Sequence, residues 1–321
     1  MAKGTTEHTV GVDEAGVRLD KVLAGLDGVG SRERARQVLG SGKVTVDGEL
    51  VGAGAGGRKV PAGTQIAVRW NTPGTSPRRV AAREALARTG VAILHEDDAL
   101  LVANKPVGLL TDAATRAQSR EHDTLRKRVG AWLRTSEVWP AHRIDRDTSG
   151  VVAFAKTPEA RQSLHDQWVA RTPLRAYLVL VEGAVEADAG HLADWMWWDA
   201  KQRRQRPARP RGKDAWLAEA DFTVVRRFEA VATQLAVTLV TGRRNQIRLH
   251  AQRMGHPLIG ERMYRPPGSM PATVRFERQA LHASRLGFDH PTDGRPVTFE
   301  APLPKDLARL IRHLGTAASV R

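Results

Sequence analysis

Short apolar runs typical of β-strands recur through the last two thirds of the sequence, and they constrain the fold more than any other feature. The clearest of them cover residues 100–103, 151–155 and 177–181. Helical periodicity covers residues 158–169 and 305–314. Because strands outnumber helices and do not alternate regularly with them, the sequence predicts an α+β fold. We expect a mixed, mainly antiparallel sheet with helices beside it, rather than a doubly wound parallel sheet.

Residues 17–70 carry a separate pattern of two short helices followed by a hairpin. Apolar residues recur at near-helical spacing from Val17 to Leu26, and Ser31 is a typical N-cap for a second helix. That second helix has a basic outer face, and Asp47-Gly48 suits a type I′ turn between two strands. This segment is expected to form a small α+β domain.

Charge narrows the class of partner. The 321 residues include 50 Lys and Arg against 35 Asp and Glu, which gives a formal net charge of +15. Such a surface attracts polyanions and releases counterions from nucleic acid, so RNA or DNA is the expected partner. The chain has no cysteine, which excludes disulfides, thiolate metal sites and cysteine nucleophiles.

Composition and spacing also predict the location and the domain boundaries. Because we find no signal peptide and no apolar run long enough to span a membrane, we expect a cytoplasmic protein, with nothing that demands more than a monomer. Pro, small residues and scattered arginines at 71–90 are typical of a linker. The expected organisation is a flexible tail at 1–16, domains at 17–70 and 91–313 joined by that linker, and a tail at 314–321.

One acid stands out among arginines. Asp145 lies between Arg143 and Arg146, and an apolar run follows it. A carboxylate in a pocket stays ionised only if a cation or hydrogen bonds favour its charged form, and an ionised carboxylate can act as a nucleophile. Arg248, on an apolar run that we interpret as strand-like, is the candidate cation. Taken alone, the motif is more typical of an ordinary surface or interdomain salt bridge.

Two other features of this region point to structural roles. Asp147 is a rival acid, and its expected role is to hydrogen-bond the turn at Thr148 and Ser149. His250 and His256 lack a supporting carboxylate at a metal-binding spacing, so no metal site is expected.

The N-terminal segment resembles the RNA-binding domain named after ribosomal protein S-four. The motifs that carry the resemblance are RLDKVL at 18–23, SRERARQVL at 31–39 and GKVTVDGELV at 42–51. The resemblance implies that the second helix and the hairpin face structured RNA. It would place Arg32, Arg34, Arg36 and Lys43 near phosphates, although each arginine alone also fits a solvated helix face.

The remainder of the chain resembles RluA-type pseudouridine synthases. The motifs, in order, are NKPVGLL at 104–110, HRIDRDTSG at 142–150, RAY at 175–177, TGRRNQIRLH at 241–250, GHPLIGERMY at 255–264 and LHA at 281–283. The resemblance implies cofactor-free isomerisation of uridine to pseudouridine in structured RNA. Ribosomal RNA of the large subunit is the expected substrate, with transfer RNA and a non-catalytic role in RNA binding or ribosome assembly as the alternatives.

The same resemblance assigns roles to individual residues. Asp145 would be the nucleophile or base, attacking either uracil carbon 6 or ribose carbon 1, and Arg248 would be its charge partner. Tyr177 would stack on the uracil and help to remove the carbon 5 proton, and the alternative role is that of a core aromatic on a strand. Leu249 would pack beside the base, and Arg143 would fill the vacated stack or grip a phosphate.

The chain also departs from the family pattern. Arg175 replaces a usual lysine, Arg244-Asn245 replaces the common Thr-His, and Glu261 replaces a usual Asp. Residues 195–216 are rich in tryptophan, and residues 201–213 hold seven basic residues and no acid. That segment either grips phosphates and stacks bases, or places its tryptophans in the core beside a disordered loop.

Overall fold

The chain divides into two units, Met1–Thr89 and Gly90–Arg321. The computed structural model describes residues 5–40, 42–70, 86, 89–113, 122–212, 214–265 and 274–317. The linker predicted over residues 71–90 therefore lies almost wholly outside the described residues.

The first unit packs two helices on a four-stranded sheet. The helices are α1 (Leu19–Ala24) and α2 (Arg32–Gly40), and the strands are β1 (Thr5–Thr9), β2 (Val44–Val46), β3 (Glu49–Val51) and β4 (Gln65–Arg69). The strand order is β1-β4-β2-β3. A buried apolar cluster that includes Leu19, Leu39 and Ile66 joins the helices to the sheet.

Local sequence signals explain most of this unit. The Ser31 hydroxyl accepts a hydrogen bond from the amide of Arg34 at 3.2 Å, as expected of an N-cap. Asp47 and Gly48 have φ angles of 51° and 83°, the left-handed pair that a type I′ turn requires. The predicted helices and hairpin are therefore present.

The flexible tail predicted over residues 1–16 is wrong for residues 5–9. These residues form β1, which pairs antiparallel with β4 from Thr5 opposite Arg69 to Thr9 opposite Gln65. The strand is polar and only partly buried, so it carries no apolar alternation by which the sequence could reveal it. Backbone hydrogen bonds to β4 hold it in place instead.

The second unit is built on an eleven-stranded sheet. Its strands are β5 (Ala92–Glu96), β6 (Leu100–Lys105), β7 (Trp139–Pro140), β8 (Ser149–Ala155), β9 (Leu174–Glu182), β10 (Ala189–Asp199), β11 (Arg204–Pro207), β12 (Trp216–Phe228), β13 (Ala232–Leu239), β14 (Leu281–Asp289) and β15 (Pro296–Glu300). The order is β11-β10-β12-β13-β9-β14-β8-β6-β5, with β15 paired to β14 and β7 to β8. Since β8 and β14 pair in parallel and the other pairs are antiparallel, the predicted α+β fold is confirmed.

Helices cover parts of this sheet. They are α3 (Leu125–Leu133), α4 (Pro158–Ala170), α5 (Gln246–Arg253) and α6 (Lys305–Ala317). Apolar residues of α4 pack with β6 and β8, and those of α6 pack with Leu180 and Phe228. The prediction that a tail begins at residue 314 is wrong, because α6 continues to Ala317 and the side chain of Leu314 is buried. None of the helices in the described part of the chain is long and apolar enough to span a membrane.

The strand-like interpretation of the run around Arg248 is wrong. Residues Gln246–Arg253 form α5, and Asn245 precedes it with a left-handed φ of 54°. Alternation over only four residues is compatible with one turn of helix, which is why the pattern alone misled the prediction. In this helix, side chains three or four positions apart share a face, whereas in a strand those two positions apart would do so.

Candidate active site

A cavity of about 890 Å³ in the second unit collects most of the residues that the sequence singled out. Its wall comes mainly from three places: the loop 142–148, residues Arg175 and Tyr177 on β9, and residues 242–248 at the start of α5. We call the loop 142–148 the acid loop. Asp145 and Arg248, 103 positions apart in sequence (248 − 145), therefore line one pocket.

Asp145 is held from two sides within this cavity. Its Oδ2 atom accepts a hydrogen bond from Nδ2 of Asn245 at 2.6 Å. Nη1 of Arg248 lies 3.6 Å from the same oxygen, and 23% of the Asp145 side chain is exposed. A cation and an amide donor therefore hold this carboxylate in place, and part of it stays open to the cavity.

Backbone contacts fix the acid loop beneath this carboxylate. The hydroxyl of Thr111 donates to the carbonyl of Ile144 at 3.0 Å and accepts from its amide at 3.2 Å. The amide of Thr148 donates to the carbonyl of Asp145 at 3.1 Å, so Asp145 itself closes the turn. The hydrogen-bonding role predicted for Asp147 in this turn stays a prediction.

Lys105 supports the same loop from inside the protein. Its buried ammonium donates to the carbonyls of Pro106, Leu109 and Arg146 at 2.8–2.9 Å. Burial lowers the pKa of Lys105 to about 7, against the opposing effect of the nearby acids Asp147 and Asp145. The lysine thus ties the strand β6 to the acid loop.

Arg248 is fixed by a buried carboxylate. Its Nε and Nη2 atoms form a two-pronged contact with Glu261 at 2.7 and 2.6 Å. Burial of Glu261 would raise its pKa, but the hydrogen bonds and charge of Arg248 outweigh burial and lower the pKa. Oε1 of Glu261 also accepts from the amides of Met263 and Tyr264. The pair leaves Nη1 of Arg248 directed to Asp145.

Tyr177 and Arg175 lie two residues apart on β9 and both line the cavity. Burial raises the pKa of Tyr177 to about 12, so its phenol is neutral near neutral pH. Arg175 donates to the carbonyl of Val240 at 3.0 Å. Gly242 is required beside it, because a Cβ there would collide with Nη1 of Arg175.

His142 forms an uncharged part of the wall. Its ring stacks on Trp168 with centroids 5.3 Å apart, and Nε2 accepts from the amide of Ala153 at 3.3 Å. Burial lowers the pKa of His142 to about 3, and the charge of Arg175 adds to the effect. The cavity therefore combines two carboxylates, Asp145 and Asp147, with neutral rings and several arginines.

The structure places the other predicted residues in different surroundings. Arg143 is exposed and lines the cavity. Leu249, predicted to pack beside the substrate base, lies buried in a cluster with Met196, Ala218 and Tyr264. Ile247 of α5 lines the cavity, and the contact of Leu249 with the substrate base stays a prediction.

Arg32, Arg34, Arg36 and Lys43 belong to the first unit. The three arginines are exposed, and Lys43 donates to the carbonyl of Trp70 at 2.9 Å. Arg32 and Arg36 lie 3.4 and 3.9 Å from Oδ2 of the buried Asp20, with the guanidinium of Arg18 on the same carboxylate at 3.0 Å.

Sequence reasoning missed three residues around the acid. Asn245 and Glu261 were visible only as departures from a family pattern, and no role was assigned to either. Tyr264 packs its ring against Arg248, and its hydroxyl lies 3.4 Å from Oδ1 of Asn245 while accepting from the amide of Gln205 at 2.7 Å. Their positions in the conserved-looking runs 241–250 and 255–264 were the only available signal.

A carboxylate held this way can do one kind of chemistry well. It is partly exposed and shares a concave pocket with a flat tyrosine ring. That arrangement suits attack on, or proton removal from, a planar ring or its attached sugar. Among the described residues, no group of three or more His, Cys, Asp or Glu side chains could hold a metal ion.

Comparisons with known proteins converge on one activity. Residues 99–253 match the family described as RNA pseudouridylate synthase. The chain is 35% identical over 313 residues to an RNA pseudouridine synthase, YlyB, of Bacillus subtilis, covering 95% of this chain and 97% of that protein. It is also 35% identical over 321 residues to ribosomal large subunit pseudouridine synthase D of Nitrosomonas europaea, covering 97% and 88%.

A solved structure agrees on the fold. Human RNA pseudouridylate synthase domain containing 4 aligns with a TM-score of 0.57 at 19% identity, covering 74% of this chain and 96% of that one.

Proposed function

The chain belongs to the RNA pseudouridylate synthase family and is an RNA pseudouridine synthase, and on that premise we propose that it acts on ribosomal RNA of the large subunit. Similarity over nearly the whole chain to a protein named for that RNA supports the substrate. The placement of Asp145 in one cavity with Tyr177 and Arg248 is the observation that carries the proposed mechanism.

Isomerisation conserves every atom of the uridine. The bond between uracil nitrogen 1 and ribose carbon 1 breaks, the base rotates, and carbon 5 bonds to the ribose while its proton leaves and nitrogen 1 gains one. Asp145 serves as nucleophile or base in this sequence, by attack on uracil carbon 6 or on ribose carbon 1. Both routes require an ionised carboxylate, and Arg248 and Asn245 hold that of Asp145 in place.

The roles of the other cavity residues follow from their surroundings. A phenol with a pKa of about 12 is a poor proton acceptor at neutral pH, so Tyr177 acts mainly by packing against the uracil. Arg143, exposed at the cavity, takes the place of the flipped base or holds a neighbouring phosphate. Flipping costs a few kcal/mol, which such contacts offset.

We assign the two parts of the chain different tasks. Residues 17–70 form an RNA-binding domain of the S-four type, whose exposed Arg32, Arg34 and Arg36 contact phosphates together with Lys43. Residues 91–313 form the catalytic domain. The net charge of +15 supports an extended RNA contact beyond the single uridine.

The test is pseudouridine formation in defined RNA by purified full-length protein. Transcribed large-subunit RNA and unmodified transfer RNA are each incubated with wild type, Asp145→Asn and Asp147→Asn, and pseudouridine is mapped by carbodiimide labelling and primer extension. Wild type should modify the large-subunit RNA. Asp145→Asn should lower the rate by roughly a thousandfold or more, as expected of a lost nucleophile.

Asp147→Asn is the matched control, since Asp147 lines the same cavity two positions away. It should retain most of the activity. Equal product from Asp145→Asn and wild type would refute the mechanism, and product in transfer RNA alone would refute the proposed substrate. No product from wild type in either RNA would favour a non-catalytic RNA-binding factor.

A further inference from the structure

Two tryptophans lie on one face of the sheet next to the cavity. Trp216 on β12 pairs directly opposite Met196 on β10, and Trp198 is two residues beyond Met196. Because side chains alternate along a strand, these three share a face. Met196 is buried against Leu249 of α5, so this face is the one that α5 covers.

Each of these tryptophan rings contacts an arginine of the cavity wall. The guanidinium carbon of Arg244 lies 4.3 Å from the ring centroid of Trp198, and that of Arg243 lies 4.9 Å from the ring of Trp216. Both arginines line the cavity around Asp145. In the described part of the chain neither guanidinium forms an ion pair with a carboxylate; each packs over its indole ring, and the charge of Asp145 also acts on Arg244.

A guanidinium is flat and has two faces on which a ring can stack. Each guanidinium lies over an indole ring, and the exposed Arg244 keeps part of its surface open to a ligand. Nucleobases stack on arginine planes as well as on aromatic rings, with little dependence on sequence. At about 890 Å³ the cavity is near the upper end for small-ligand pockets, so one flipped uracil leaves room beside it.

We propose that the Arg244–Trp198 and Arg243–Trp216 stacks form a platform for the unpaired nucleobases that flank the target uridine. The proposal rests on the proposed function and adds a substrate requirement: residues next to the uridine must be free to unstack from their own helix. Arg244 stands where the family commonly has Thr, which makes the platform a feature of this chain rather than of the general reaction.

The test compares two forms of one RNA fragment that contains the mapped uridine. In the second form the nucleotides on either side of the uridine lack their bases but keep ribose and phosphate. Trp198→Ala should raise KM on the intact fragment about tenfold, with kcat within about twofold, because a lost stacking contact weakens binding. On the abasic fragment Trp198→Ala and wild type should have the same KM.

Trp197→Ala is the matched control. Trp197 lies next to Trp198 on β10 but on the opposite face, and it is 37% exposed. It should bind both fragments as wild type does. Trp216→Ala provides a second variant with little risk to folding, because Trp216 is 55% exposed, and its effect should have the same dependence on the flanking bases.

Salt dependence separates stacking from phosphate contact. Trp198→Ala should leave the slope of log affinity against log salt unchanged, whereas loss of a phosphate contact would reduce it by about one. A Trp198→Ala variant with wild-type KM, with an equal loss on both fragments, or with a reduced salt slope would overturn the platform.

Failure of the proposed function has a different signature. If wild type makes no pseudouridine in large-subunit RNA, the substrate assignment fails. The platform is then still tested by the dissociation constants of intact and abasic fragments, which need no turnover. A preference of wild type for intact bases that Trp198→Ala loses would support it.

Discussion

Each unit contains a cluster of acidic and arginine side chains joined by ion pairs, and the two clusters differ in which side chains are exposed. In the first unit Asp20 is only 1% exposed, and the arginines that contact it are 49–66% exposed. In the second unit Glu261 is fully buried and holds Arg248, which in turn presents a cation to the partly exposed Asp145. One cluster offers cations to its surroundings, and the other offers a carboxylate.

The comparison shows what burial decides in such a cluster. A buried charge is costly to leave without a partner, so the buried member keeps its geometry and serves as the anchor. An exposed partner contributes little to stability and stays free to contact a ligand. The exposed arginines around Asp20 and the carboxylate of Asp145 are therefore the members of each cluster that we assign to RNA.

The largest effect is expected from Glu261→Gln. Removing its charge weakens the two-pronged contact of the buried Arg248 and leaves Asp145, 3.6 Å away, as its charged partner, which costs about 3 kcal/mol. Native-state hydrogen exchange of the α5 amides should report that loss, and pseudouridine formation should fall at least tenfold as Arg248 moves from Asp145. Glu261→Asp, which keeps the charge, is the control. Unchanged exchange in Glu261→Gln would show that Glu261 does not anchor the cluster.

Asn245→Asp tests the exposed end of the same cluster. It replaces the donor that lies 2.6 Å from Asp145 with a second acid, which removes the hydrogen bond and sets two carboxyl groups side by side. Asn245→Ala removes the hydrogen bond without adding an acid and should lower kcat about tenfold. Asn245→Asp should lower kcat by more than Asn245→Ala does. Wild-type kcat in both variants would show that Asn245 does not position the acid.

These contacts mark the limit of what the sequence could predict. Apolar runs revealed β6, β8 and β9 because a buried strand needs a continuous apolar side, whereas the polar strand β1 has no such signature. The run around Arg248 was too short to distinguish strand from helix. The contact of Asn245 with Asp145 and the stack of Arg244 on Trp198 join segments far apart in sequence. Only the register of the sheet and the start of α5 bring them together.

Asp20→Asn tests the anchor of the first cluster and gives a pH dependence. Hydrogen bonds from Arg18 lower the pKa of Asp20, with the charge of Arg32 adding to the effect. A carboxyl group whose pKa is lower in the folded than in the unfolded state stabilises the fold at pH values above its unfolded pKa, near 4. That contribution to stability is lost as the pH falls through the pKa of the folded state. Wild type should therefore resist unfolding of α1 and α2 better than Asp20→Asn at pH 7, by roughly 1 kcal/mol.

That difference should shrink below pH 4, as measured by hydrogen exchange of the α1 and α2 amides. Asp27→Asn, an acid of the same unit that is not in the cluster, is the control. A difference that stays constant down to pH 2.5 would show that the charge of Asp20 does not stabilise the unit.

The smallest effect on stability is expected from Arg36→Ala. This variant best separates a role in stability from a role in RNA binding. Arg36 is 66% exposed and lies 3.9 Å from Asp20, so its removal should change the free energy of unfolding by less than about 0.5 kcal/mol. If Arg36 contacts a phosphate, the same change should weaken binding to large-subunit RNA and reduce the salt slope by about one. Arg312→Ala, on a helix of the other unit, serves as a charge-matched control. A loss of stability with an unchanged salt slope would make Arg36 part of the anchor, and the division between buried anchor and exposed ligand contact would fail in the first unit.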